Sequence, residues 1–151
     1  MAFKTKVLGR EALMRKLERI TPGVTEAAAE AKLEVAQEAA KRIAAVAPVG
    51  VSGDYKASIK GARQADNPGI TPVGGQQSKD PDATAVYADY IWRFLEFGTA
   101  PHINGGLFPG TAHPGTIRQP HVFPTWKSYR KNARAKISRA ISKAVKTSLG
   151  K

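Results

Sequence analysis

The side chains with the widest chemical repertoire in this chain are three histidines, His102, His113 and His121, and all three fall in one segment. From Gly98 to Pro124 the chain runs for 27 residues with five glycines, five prolines and no carboxylate. Clustered imidazoles suggest a metal, but the histidines are separated by ten and seven residues, which matches no compact zinc spacing. The nearest acidic ligand, Glu96, lies just before the segment. An acid–base reading would pair Glu96 or Asp89 with one of the histidines. A glutamate set between Leu95 and Phe97 is more simply a residue that caps backbone amides or pairs with an arginine, which satisfies its charge where it is partly buried. The sequence has no glycine-rich phosphate loop, no serine elbow and no helix with histidines at i and i+4. It has no cysteine, so thiolate nucleophiles, thiolate metal sites and disulfides are excluded. We therefore expect no catalytic residue, no metal ligand and no cofactor, and the chain does not read as an enzyme.

The other chemically loaded residues are cations. The net charge is +12, and it is unevenly placed: residues 1–96 carry 14 basic and 12 acidic side chains, whereas residues 97–151 carry 10 basic and none acidic. Lys127, Arg130, Lys131, Arg134, Arg139 and Lys143 belong to this second part and face either DNA or an acidic partner. The competing reading is a solvated face that only aids solubility. No base-reading motif accompanies the cations, so the pattern supports attraction without readout. Non-specific nucleic-acid binding is accordingly the alternative function. The apolar side of the same stretch is rich in alanine, which suits packing on protein better than insertion into lipid, and no membrane partner is expected.

Which elements position these residues? A length of 151 residues with 42% hydrophobic content suits one domain with an ordinary core. No signal-like apolar run opens the chain and none approaches the roughly 20 residues that span a bilayer, so synthesis as a soluble cytoplasmic chain is expected. Leu13, Leu17 and Ile20, with Leu8 as a further contact, predict a short helix ending before Pro22. From Thr21-Pro22 to Val46 the sequence predicts a long helix with two faces: an acidic stripe of Glu26, Glu30, Glu34 and Glu38, and a small-residue seam of Ala29, Leu33, Ala36, Ala40 and Ile43. The stripe could dock a basic helix or face water. Residues 54–60 start a short helix or strand, two short strands flank a tip near Gln76 and Gln77, and Ala83 to Tyr87 alternate as a strand. Tyr87, Tyr90, Ile91, Phe94 and Leu95 fit a helix closed by Gly98. A basic amphipathic helix follows over about 124–149, with Trp126, Tyr129, Ala133, Ile137, Ala140, Ile141, Ala144 and Val145 on its apolar side. The predicted class is α+β: two long helices, about 22–46 and 124–149, on a small antiparallel sheet, with a short N-terminal helix and a long Gly/Pro loop. Because connections in compact domains have a median of roughly 4 to 6 residues, the loop 98–124 reads as an assembly element within a single domain of 1–151, followed by the basic helix of 125–151.

Three phrases, in order, resemble a known family. Ala44-Ala45-Val46-Ala47-Pro48-Val49, then Ser52-Gly53 and Ala57-Ser58-Ile59-Lys60, is similar to an A-P-V-x-T-G-x-L-x-x-S-I phrase. Tyr87-Ala88 with Leu95-Glu96-Phe97-Gly98-Thr99 is similar to Y-A-x-x-V-E-F-G-T, and Pro101-His102, His113-Pro114-Gly115-Thr116 and Gln119-Pro120 resemble the segment after it. Over roughly residues 30 to 130 the chain thus resembles the small tail-component proteins of long-tailed double-stranded DNA phages, which act in tail completion and head–tail joining at the neck. It departs from them at Asp54-Tyr55, at Arg93-Phe94 and at Pro120-His121-Val122-Phe123-Pro124. The resemblance implies a structural virion protein of the neck or tail, a ring of identical subunits and contacts with neighbouring neck and tail proteins, with the basic final helix turned to packaged DNA, to an acidic partner or to the neighbour's glutamate stripe. It also implies that Glu96, Phe97, Gly98, Thr99, His102, His113, Pro114, Gly115 and Thr116 form a subunit or partner interface, with the histidines as contact residues.

Overall fold

A computed structural model describes residues 10–50 and 52–150. Eight elements follow in order: α1 (Arg10–Val46), α2 (Asp54–Ser58), β1 (Lys60–Arg63), β2 (Thr84–Tyr87), α3 (Trp92–Phe97), β3 (His102–Ile103), β4 (Ala112–His113) and α4 (Val122–Ser148). The class is α+β, with two long helices on a small antiparallel sheet.

The expected break at Pro22 does not occur: α1 is a single helix of 37 residues with Pro22 inside it. A proline removes one amide donor and crowds the preceding turn, but strong helix formers lie on both sides and helix growth is cooperative across one missing bond. The Thr21 hydroxyl adds a bond to the Leu17 carbonyl at 2.7 Å. Leu13 and Leu17 are 58% and 48% exposed, so the expected apolar face is only partly covered among the described residues. Leu8 lies outside the described residues.

Helix α4 runs antiparallel to α1. Val122 shares a core cluster with Ile43, Lys136 reaches Glu34, and Ser148 approaches Gly23. The seam holds as expected at Ala29, Ala36, Ala40 and Ile43, and it is wider than expected, because Ala31, Val35 and Ala39 are buried too. Small side chains let the two backbones approach, and each methyl contributes apolar area at roughly 25 cal/mol per Å². Against Val35 and Ala39, α4 places Tyr129 and Ala133.

Strands β1 and β2 pair antiparallel with Lys60 opposite Tyr87 and Arg63 opposite Thr84. They lie across α1, where the Thr84 hydroxyl donates to the Lys32 carbonyl at 3.1 Å. Gly61 makes this possible, since a Cβ there would lie 2.2 Å from the carbonyl carbon of Ala36. The two short strands expected within the connection are absent. Prolines at 68, 72 and 81 remove ladder donors, and residues 64–83 are held instead by Gln77 on the carbonyls of Asn67 and Ile70, and by Val73 N–H on Val86 O.

The helix expected from Tyr87 is shorter and phased differently. Tyr87 ends β2, Asp89 accepts the Ile91 N–H at 3.1 Å in a turn, and α3 then covers six residues. Trp92 and Glu96 are its buried positions, whereas Tyr90 and Phe94 are exposed. Trp92 joins Ala40, Ile43, Ala47, Tyr55, Ile59 and Val122 in the main core cluster.

Candidate assembly surface

The Gly/Pro segment is a β-hairpin with a built root and not an unstructured loop. Thr99 and Thr116 exchange backbone bonds of 3.1 Å in both directions, His102 pairs with His113, and Ile103 with Ala112. Two glycines permit this closeness. Gly98, at φ 74, ends α3, and Gly115, at φ 85, would place a Cβ 2.3 Å from the Thr99 carbonyl oxygen. Both conformations lie in the region that other residues avoid.

Glu96 anchors the far end of the segment. It is only 4% exposed, and its carboxylate accepts three consecutive backbone N–H groups: His121 at 2.8 Å, Val122 at 2.9 Å and Phe123 at 3.0 Å. These are the orphan donors that open α4. A negative charge there also complements the positive end of the helix dipole. The capping role read from the sequence is therefore present. As a surface contact Glu96 is inaccessible, because its carboxylate is enclosed within the protomer.

His121 is the second buried anchor, at 3% exposure. Its Nδ1 lies 2.7 Å from the Gln119 carbonyl, which only accepts, so the proton sits on Nδ1 and Nε2 accepts the Tyr55 hydroxyl. Burial, with the charges of Glu96 and Asp89, pushes the Tyr55 phenol up to about 12, which keeps it a donor. His121 is thus a structural residue rather than a contact. The Tyr55–His121 pair was invisible to sequence reasoning; the only cue was an unexplained tyrosine at the start of α2.

His102 and His113 stack across the hairpin with ring centroids 4.8 Å apart. Nδ1 of His102 donates to the Ala100 carbonyl, and Nδ1 of His113 accepts the Gly115 N–H. The three histidines therefore serve two separate places. Of the other expected interface residues, Phe97, Pro114 and Thr116 are exposed, and Thr99 and Gly115 are half-buried in the root.

Beyond the histidine pair the hairpin is apolar and uncovered. Ile103 is 66% exposed, Leu107 91% and Phe108 69%. The tip is shaped by the Asn104 N–H on the Thr111 carbonyl at 2.8 Å and the Gly110 N–H on the Asn104 carbonyl at 3.0 Å. A second apolar surface lies between α1, β2 and the start of α4, a groove of about 350 Å³ lined by Val35, Ile43, Val73, Val122, Phe123 and Trp126.

Polar contacts on α4 lie towards α1. Glu38 receives the Tyr129 hydroxyl at 2.8 Å and Arg42 at 2.7 Å, and Lys136 bridges Glu34 and Glu38 at 3.1 and 3.4 Å. Part of the glutamate stripe thus docks the basic helix, as one of its two readings held. The bonds from Arg42 and Tyr129 hold the Glu38 carboxyl down at about 2. Lys127, Arg130, Lys131, Arg134, Arg139 and Lys143 are all exposed. No helix among the described residues is long and apolar enough to cross a membrane.

A family model described as "Bacteriophage HK97-gp10, putative tail-component" matches residues 11–98, more than half of the chain, and its match ends at the root of the hairpin. No curated protein and no solved structure matches.

Proposed function

The chain belongs to the HK97-gp10-like family of bacteriophage tail components, and from that premise we propose that it is a structural protein of the phage neck or tail that completes the tail or joins it to the head as one subunit of a homo-oligomeric ring. A tail component is a structural protein of the virion and contacts other phage structural proteins. The observation that carries the finer reading is the hairpin: a root fixed by Glu96, Gly98 and Gly115 holds out a tip on which Leu107 and Phe108 have no cover among the described residues. Exposed apolar groups rooted on a rigid base mark an interaction site. A ring of identical subunits needs two different patches on each subunit, since head-to-tail contacts are heterologous. The hairpin tip and the Phe123–Trp126 groove are two such patches.

Sedimentation of the purified chain, with negative-stain images of the assembled species, tests this. The unmodified chain forms closed rings, and the double variant Leu107→Ser, Phe108→Ser remains monomeric with an unchanged melting temperature. Rings formed equally well by the variant would refute the role of the tip, and a chain that stays monomeric at high concentration would refute the ring.

A further inference from the structure

We propose that one flank of α4 is a ridge that binds the phosphate backbone of duplex DNA without reading its sequence. Lys127, Arg130, Lys131 and Arg134 stand at i, i+3, i+4 and i+7, so they share one flank of the helix over about two turns, roughly 10 Å. All four are exposed. Among the described residues none has a carboxylate partner, whereas Lys136, on the side facing α1, has two. Like charges at this spacing destabilise a helix, and nothing in residues 97–151 offsets them, because that stretch contains no acidic residue.

The complementary partner has closely spaced negative charge. A 10 Å length of duplex presents about six phosphates, and two of the four cations are arginines, whose planar forks match phosphate oxygens. No base-reading motif accompanies the four cations, and Asn132, which follows Lys131 in sequence, lies about a quarter turn off their flank at 3.6 residues per turn, so the ridge is taken as a positioning surface. This inference stands apart from the ring: it requires α4 alone and survives if the hairpin does not mediate assembly.

The test is fluorescence anisotropy of a labelled random-sequence DNA duplex titrated with the full-length chain. If four phosphates are neutralised, affinity falls on the order of 100-fold between about 50 and 200 mM salt. Replacing the ridge with glutamine (Lys127→Gln, Arg130→Gln, Lys131→Gln, Arg134→Gln) abolishes most of that salt dependence and of the binding. A second variant with the same change in net charge outside α4 (Lys41→Gln, Lys56→Gln, Lys60→Gln, Lys79→Gln) keeps its affinity within about threefold, as expected for a local contact and not for net charge alone. Equal losses in the two variants would overturn the ridge, as would no binding by the unmodified chain. Tighter binding of poly-glutamate than of DNA at equal charge would assign the ridge to an acidic protein instead.

Discussion

Two of the antiparallel returns, the helices α1 and α4 and the β3–β4 hairpin, are stabilised in opposite ways. Between α1 and α4 the stabilisation is distributed: Ala36, Ala39, Ala40 and Ala133 are buried along the seam, and Glu34 and Glu38 share Lys136, Tyr129 and Arg42 beside it. The hairpin between Thr99 and Thr116 has strands of two residues and no core of its own. Its placement is concentrated at the root, in one buried carboxylate and two glycines. A distributed contact tolerates the loss of a member, whereas a concentrated one fails at single residues. Concentration at the root also leaves the tip free to carry apolar side chains that the protomer does not cover.

The largest expected effect tests that contrast directly. Glu96→Ala leaves three amides at the start of α4, two of them in buried bonds, without their acceptor. A lost cap and buried unsatisfied donors together destabilise by about 3 kcal/mol. Urea unfolding measures this, and Glu96→Gln, which keeps an acceptor oxygen, recovers about half, since the remaining bonds lose their charge assistance. A loss below about 1 kcal/mol, the size of an ordinary surface cap, would show that the root is not concentrated at Glu96.

A smaller effect separates the two returns. Gly115→Ala forces a side chain into a positive-φ position with its Cβ 2.3 Å from the Thr99 carbonyl oxygen. Such strain is worth roughly 2 kcal/mol. It acts on the hairpin alone, so amide exchange at Thr99, Asn104 and Thr116 accelerates about 30-fold while Val35 and Ala39 in α1 exchange as before. Acceleration in α1 of similar size would mean that hairpin and helices open as one unit.

The same contrast explains what was legible in the sequence. Helix periodicity survives in α4 because it is local, and Gly98 announced the end of α3; Glu96 read as a cap of backbone amides or a partner of an arginine, but the amides it caps lie 25 residues or more away and nothing local named them. Strand β1 was not recognisable as a strand, because Lys60–Arg63 pairs with Thr84–Tyr87 across twenty intervening residues and its inward position, Gly61, has no side chain to show a pattern. The β-hairpin was missed for a related reason: two-residue strands are too short to display alternation. Tyr90 and Phe94 drew α3 into the wrong phase, since both are aromatic yet exposed, and the buried Trp92 lay one position off the expected stripe. At Pro22 a local rule was overridden by the cooperativity of the helix around it. His121 and Tyr55 meet across 66 residues, so no spacing could pair them.

The smallest expected effect probes the distributed contact through pH. Arg42 and Tyr129 lower the Glu38 carboxyl from 4.5 to about 2. A group whose pKa is depressed by folding adds stability above its unfolded value, and that contribution is lost as pH falls through the folded one. The melting temperature of the unmodified chain therefore declines between about pH 4.5 and 2, and Glu38→Gln, which cannot titrate, shows a shallower decline over that window while melting slightly lower at neutral pH. Glu38 is partly exposed, so screening by solvent keeps the difference well below that of Glu96→Ala. Raising the salt concentration reduces it further, because the pair with Arg42 lies at the surface. If Glu38→Gln instead lowered neutral-pH stability as much as Glu96→Ala, the helical return would be as concentrated as the hairpin root, and the distinction between the two would fail.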